Sequence, residues 1–210
     1  TWIFAVDGPV GETPELLLRL SRGMVPSRVL AGTISKTGND EKDLALAAPL
    51  ARSSKDLEEH EYAVRSVADA LDPFCTSTNV PESPFVLHLA NVMHLATDVT
   101  GALIESKKNV DAFTILEKLH PSAAVCGTPT DLAAKVIKNI EGMSRGRYAG
   151  PVGWLDARGD GELGIALRCG QIKENEIQIY AGCGIVAGSN PEKELTESNA
   201  KFAPMRSALN

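Results

Sequence analysis

Glu194, Glu197 and Lys201 stand at i, i+3 and i+7, which places two carboxylates and an ammonium on one face of a helix. Such a face is either a solvated charged surface with an i,i+4 pair between Glu197 and Lys201, or part of a site. The preceding segment, Gly182-Cys183-Gly184-Ile185-Val186-Ala187-Gly188, weighs toward a site. Its glycines permit close backbone approach and φ > 0, and a glycine-rich turn can aim N–H groups at a carboxylate. A second charged stretch, Lys55, Glu58, Glu59, His60 and Glu61, reads by itself as an ordinary polar helix face. Two helical carboxylates from such distant segments can hold one Mg2+, an ion that takes oxygen ligands and leaves positions for substrate and water. The spacing permits that ion without requiring it.

Two further residues can do chemistry because of what surrounds them. Arg168 ends the apolar run Ile165-Ala166-Leu167, where an unpaired guanidinium is costly to bury. It is either a surface cap or a carboxylate clamp whose planar fork gives bidentate geometry. Glu15 follows Thr13-Pro14 and precedes Leu16-Leu17-Leu18; burial there raises a carboxyl pKa and suits it to general-acid work. The four histidines share no metal-ligand spacing, and structural roles are their default. Cys75, Cys126, Cys169 and Cys183 lie too far apart for a zinc knuckle or a disulfide framework and read as small buried hydrophobes.

The chain is 43% hydrophobic and 23% charged over 210 residues, enough for one sizeable core or two lobes sharing one. A net charge of −6 without a basic stripe argues against a nucleic-acid partner. No apolar stretch approaches a membrane span and no signal-peptide pattern opens the chain, so the expectation is a soluble, cytoplasmic protein. The chain starts at Thr1 on a strand-like run without an initiator Met, which suggests a cut through a longer polypeptide.

The elements that must carry these residues are short strands and amphipathic helices. Residues 2–6, 16–20 and 28–34 read as strands, with a Gly/Pro turn region over 7–14. Residues 41–71 are helical with a break near Pro49 and an N-cap at Ser54; Leu57, Tyr62, Val64, Val67, Ala68 and Leu71 share a face. Residues 85–100 are extended. Helices follow at 110–119 and 129–140, the second with Thr128 as cap and Pro129 in its first turn. Three strands, 148–156, 162–172 and 176–181, are joined by tight turns and so pair antiparallel. A last helix starts at Glu192 and ends near Ala203, where Pro204 stops or kinks it. The class is α+β, with antiparallel or mixed sheets flanked by helices.

These segments together resemble the chorismate-binding family of anthranilate, aminodeoxychorismate, salicylate and isochorismate synthases. The resemblance is carried first by Thr13-Pro14-Glu15-Leu16, Leu30-Ala31-Gly32-Thr33, Ser54-Lys55-Asp56-Leu57-Glu58-Glu59-His60 and His94-Leu95-Ala96-Thr97. It continues through His120-Pro121, Val125-Cys126-Gly127-Thr128-Pro129, Gly150-Pro151-Val152-Gly153-Trp154, Ile165-Ala166-Leu167-Arg168-Cys169, and Ala181-Gly182-Cys183-Gly184-Ile185-Val186 running into Glu197 and Lys201. They fall in family order over nearly the whole chain. Ile34-Ser35-Lys36 after the Leu30 motif, Gly153-Trp154-Leu155-Asp156, Gly159-Asp160-Gly161-Glu162 and Arg168-Cys169 look like the isochorismate-forming branch.

The resemblance implies that residues 1–210 are the C-terminal part of a single chorismate-binding domain with the anthranilate synthase component I-like fold, incomplete on its N-terminal side. It implies that Glu59 and Glu197 hold Mg2+ against the ring carboxylate of chorismate, and that Glu15 protonates the departing C4 hydroxyl. Gly32, Arg168, Gly182 and Lys201 match groups around the substrate, with Arg168 facing the enolpyruvyl carboxylate; His94, Thr97 and Val125 match positions lining the ring pocket. The implied reaction adds water at C2 and expels the C4 hydroxyl, giving isochorismate for menaquinone or siderophore synthesis, with no obligatory protein partner. Salicylate or anthranilate formation is the nearest rival, and a non-catalytic anion-binding domain is the rival from another class. Two departures stand out. Cys183 replaces a more usual Ala or Gly. The family's water-activating lysine lies upstream of the Thr-Pro-Glu motif, and none of the fourteen residues before Glu15 is a lysine. The expectation is that these 210 residues alone are inactive or nearly so.

Overall fold

The structure, a computed structural model, describes residues 1–107 and 110–209. In chain order the strands are β1 (Trp2–Ala5), β2 (Pro9–Thr13), β3 (Leu16–Leu20), β4 (Met24–Ser35), β5 (Cys75–Asn79) and β6 (Phe85–His88). They continue as β7 (Val92–Leu103), β8 (Pro151–Leu155), β9 (Gly161–Ile165), β10 (Cys169–Lys173) and β11 (Glu176–Tyr180). The helices are α1 (Asp40–Arg52), α2 (Ser54–Leu71), α3 (Ala112–Leu119), α4 (Thr130–Ile140) and α5 (Pro191–Leu209). A four-stranded sheet has the order β1-β2-β10-β11; a seven-stranded sheet has the order β5-β7-β4-β3-β9-β8, with β6 also on β7. The pairings among the described residues are all antiparallel, so the sheets are not mixed.

The main core lies between the larger sheet and two helices. Leu17, Val25, Val29 and Val99 of the sheet meet Ala63, Val64, Val67 and Leu71 of α2 and Ile115 and Leu119 of α3. Each fully buried side chain of this size contributes roughly 1.5–3 kcal/mol. The buried positions of α2, His60, Ala63, Val64, Val67 and Leu71, follow the 3.6-residue period. Tyr62, expected on that face, is instead 45% exposed; His60 and Ala63 take the inward positions.

Several expected boundaries move, each for a local reason. The helical stretch does not break at Pro49, which sits inside α1. The break falls at Ser53, whose extended backbone and hydroxyl, accepting from the Asp56 amide at 3.3 Å, start α2 one residue before the expected cap. Pro204 likewise lies inside α5, which runs on to Leu209. Pro129 precedes α4 as its cap residue rather than entering its first turn, and Thr128 does not cap it. The Gly/Pro region over 7–14 contains β2, because Pro9 opens the strand and Gly11 sits against Cys169 of β10. The extended stretch 85–100 is a hairpin of β6 and β7, and β5 was not legible in its polar sequence Cys-Thr-Ser-Thr-Asn.

The largest correction concerns residues 162–172. They form two strands in different sheets, β9 and β10, separated at Ala166-Leu167-Arg168. Arg168 takes φ +46°, a left-handed conformation that ends the extended run. The chain also changes sheet at Pro14-Glu15, between β2 and β3. These two crossings lie side by side, joined by the Ile165 amide donating to the Glu15 carbonyl at 3.2 Å. Among the described residues, no helix is long and apolar enough to cross a membrane.

Candidate functional site

Each crossing between the sheets delivers one of the residues singled out above. Glu15 sits in the link from β2 to β3, 4% exposed, and Arg168 in the link from β9 to β10; both line one cavity. Its volume is about 870 Å3, open mouth included. Burial pushes the Glu15 carboxyl up to about 8, against the opposing pull of a hydrogen bond from the Leu30 amide and the charges of Lys201 and Arg168. The acid is therefore neutral at neutral pH and holds a proton to give. Arg168 is held below the ordinary guanidinium range by its burial, a shift opposed by the charge of Glu12 and, once it ionises, of Glu15. It stays cationic.

Gly32 shapes the opposite wall. The register of β4 against β7 slips between Ala31 and Thr33, and Gly32, at φ +72°, forms the resulting bulge. A Cβ there would lie 2.8 Å from the Cβ of Asp56 on α2. The bulge turns the Gly32 carbonyl toward His94, whose Nδ1 lies 3.2 Å from that oxygen and 3.1 Å from Thr33 Oγ1. A carbonyl can only accept, so Nδ1 carries the proton; Nε2 is then free to accept from the Arg168 guanidinium, which it contacts. Burial, then the charges of Arg168 and Lys201, holds His94 well below its usual pKa. A neutral His94 thus anchors the cation at Arg168.

At the far side stand the charged residues of α2 and α5. Lys201 Nζ contacts Glu197 Oε1 at 2.6 Å and the Gly182 carbonyl at 3.0 Å. Lys55 Nζ lies 3.0 Å from Glu59 Oε2 and 2.9 Å from Glu194 Oε1, joining the two helices. These residues do not form a solvated face: side-chain exposures are 13% for Glu59, 8% for Glu194 and 12% for Glu197. Gly184 has no Cβ to collide with Glu59 Oε1. Among the described residues, no three His, Cys, Asp or Glu side chains form a metal cage. The residues nonetheless fit a hard dication: all donors are carboxylate oxygens, and Glu194 Oε2 is buried without a hydrogen-bond partner.

The expected residues therefore divide. Glu15, Glu59, His94, Val125, Arg168, Gly182 and Lys201 share the cavity wall. Gly32 shapes that wall through its carbonyl. Glu197 fronts the neighbouring groove with Lys55 and Glu194 and reaches the cavity through Lys201. Thr97, expected on the ring pocket, lies outside those walls: it is 3% exposed and bonded to His60 Nε2 at 2.7 Å, in the layer between β7 and α2. Thr97 stands three residues from His94 in β7, so the alternation of the strand turns the two side chains to opposite faces. Cys183, read as a small buried hydrophobe, is half-buried in the glycine-rich segment, its thiol facing the Glu194 carbonyl and the Ser198 hydroxyl. Spacing alone missed Tyr148 and Arg145. Tyr148 stacks on Tyr180 at 5.2 Å, and Arg145 donates to the Val125 carbonyl at 2.6 Å while gripping Glu141. The signal available was the polar run Ser144-Arg145-Gly146-Arg147-Tyr148 before Gly150-Pro151, which reads as an ordinary loop.

One cavity on a two-sheet α+β frame is thus lined by a buried neutral acid, Glu15, the guanidinium of Arg168 and Glu59, whose partner Lys55 links it to Glu194 of the adjoining groove. Residues 6–210 match the family model described as chorismate binding enzyme, and the chain belongs to that family. It is 43% identical over 200 residues to isochorismate synthase DhbC of Bacillus subtilis (strain 168), aligning 95% of this chain with 50% of that protein. The crystal structure of DhbC from Bacillus anthracis superposes with TM-score 0.92 at 41% identity, covering 96% of this chain and 53% of that one. Anthranilate synthase component I from Streptococcus pneumoniae TIGR4 superposes with TM-score 0.78 at 31% identity, covering 92% and 42%. The chain spans about half the length of the curated relatives it matches.

Proposed function

We propose that this chain carries the acid, the anion clamp and the metal carboxylates of an isochorismate synthase, converting chorismate to isochorismate with Mg2+. The observation that carries the reading is Glu15: a carboxyl held neutral to about pH 8 by burial, in one cavity with Arg168 and Lys201. Chorismate is a dianion, and an acidic protein needs placed cations to receive it. Arg168, oriented by His94, takes one carboxylate through its fork. Glu59 and Glu197 would hold Mg2+, which would supply Lewis-acid polarisation of the bound substrate. Glu15 gives its proton to the C4 hydroxyl, which leaves as water. The double bonds shift as a second water adds at C2, so the product is an isomer of the substrate. The group that takes the proton of the attacking water is proposed to lie upstream of Glu15, in the half of the relatives' length that this chain does not span.

The similarity to isochorismate synthases supports water rather than ammonia as the nucleophile. Glu15→Gln in the full-length protein tests the role: an amide keeps the shape and loses the proton. Chorismate affinity stays within about three-fold while turnover falls at least about 100-fold, in line with removal of a general acid. Unchanged turnover would retire Glu15 as the acid; lost affinity with retained turnover of bound substrate would recast it as a binding group.

A further inference from the structure

Lys55 takes no part in the chemistry proposed above, yet it joins two helices at the edge of the site. Its ammonium bridges Glu59 of α2 and Glu194 of α5, and Asp56 Oδ1 lies 3.8 Å away. Its stem packs 3.7–3.8 Å from the position a Gly188 Cβ would take, at the end of the glycine-rich segment. Its ammonium is thus held between carboxylates of two helices. Each carboxylate gives Lys55 one oxygen and keeps the other: Glu59 Oε1 lies under Gly184, and Glu194 Oε2 is buried without a partner.

We propose that Lys55 is a positioning residue for the divalent cation: by tying Glu59 of α2 to Glu194 of α5 it orders Glu59 directly and fixes the helix face that carries Glu197, three residues after Glu194. The proposal deepens the Mg2+ reading and rests on it. The physical issue is a sign. A fixed ammonium repels an incoming dication, which would weaken binding. Without it, however, carboxylates of two facing helices repel each other and turn to solvent, and the site must be ordered as the ion binds. Groups that orient metal carboxylates typically matter by 10–100-fold in affinity, and the geometry puts Lys55 in that role.

The test is calorimetric titration of the full-length protein with MgCl2, without substrate, for wild type, Lys55→Arg and Lys55→Met. Lys55→Met weakens Mg2+ binding by about ten-fold or more, and Lys55→Arg, which keeps a charged bridge, stays within about three-fold of wild type. Thermal melting in EDTA separates stability from affinity: a merely structural lysine lowers the melting temperature and leaves the dissociation constant of the folded protein unmoved. If Lys55→Met does not fold, Lys55→Gln replaces it under the same criterion. Unchanged or tighter Mg2+ binding in the neutral variant overturns the proposal while the Mg2+ reading stands. A wild type that binds no Mg2+ overturns both, and so the two failures are told apart.

Discussion

The roles proposed for Glu15 and Arg168 rest on where burial puts them. A carboxyl raised from 4.5 to about 8 makes a definite stability prediction. Between those values the folded state holds a proton that the unfolded state releases. The contribution of Glu15 to stability is thus fully present below about 4.5 and is lost as pH rises through about 8. Glu15→Gln removes that slope, so urea denaturation gives a difference between variant and wild type that shifts in favour of the variant from pH 6 to pH 9. A difference that is flat with pH contradicts a buried, neutral Glu15. Arg168 makes a second prediction. Lys in its place keeps the charge but loses the fork and the contact with His94 Nε2, so KM for chorismate rises roughly ten- to hundred-fold. Steady-state kinetics of Arg168→Lys in the full-length protein measures it. The candidate roles of Glu59, Glu197 and Lys201 came from family resemblance rather than from spacing. Spacing could show that Glu197 and Lys201 share a face and that Lys55 and Glu59 pair at i,i+4; it could not show that Lys55 reaches across to Glu194.

The site depends on elements that stop or bend at particular places. The Gly32 bulge in β4 both aims its carbonyl at His94 and lets α2 approach at Asp56. Gly32→Ala combines a strained φ of +72° with a 2.8 Å contact. A loss of roughly 1–3 kcal/mol in chemical denaturation is the expected result, together with weaker chorismate binding as His94 and Arg168 lose their anchor. The strand β3 was legible as a short apolar run, and α2 with Val64, Val67 and Leu71 of its inward stripe from the 3.6-residue repeat. The split of residues 162–172 was not. Both halves are apolar enough for a strand, and the left-handed turn at Arg168 that divides them has no glycine to announce it. Pro49 and Pro204 misled in the opposite direction. Each removes one backbone donor, but the surrounding helix continues, and the boundary of α1 is set by the Ser53 cap instead.

The whole molecule gathers acid, clamp and carboxylates at the place where the chain passes twice between its two sheets. That arrangement explains why residues more than 150 positions apart, Glu15 and Arg168, share one cavity wall. The fold class was readable from tight turns and flanking helices; the division into two sheets required the crossings, which no local pattern encodes. Its described walls hold one lysine, Lys201, and that lysine is tied to Glu197 and Gly182. The 210-residue chain alone is therefore expected to give no detectable turnover of chorismate, even where it binds the substrate. Robust turnover by this chain would sink the assignment of an upstream base. The most direct test of the central claim is product analysis of the full-length protein with chorismate, with and without Mg2+ and with and without ammonium, resolved by chromatography. The account predicts isochorismate that requires Mg2+ and is indifferent to ammonium. Ammonium-dependent anthranilate, or no product from a well-folded protein, would contradict it.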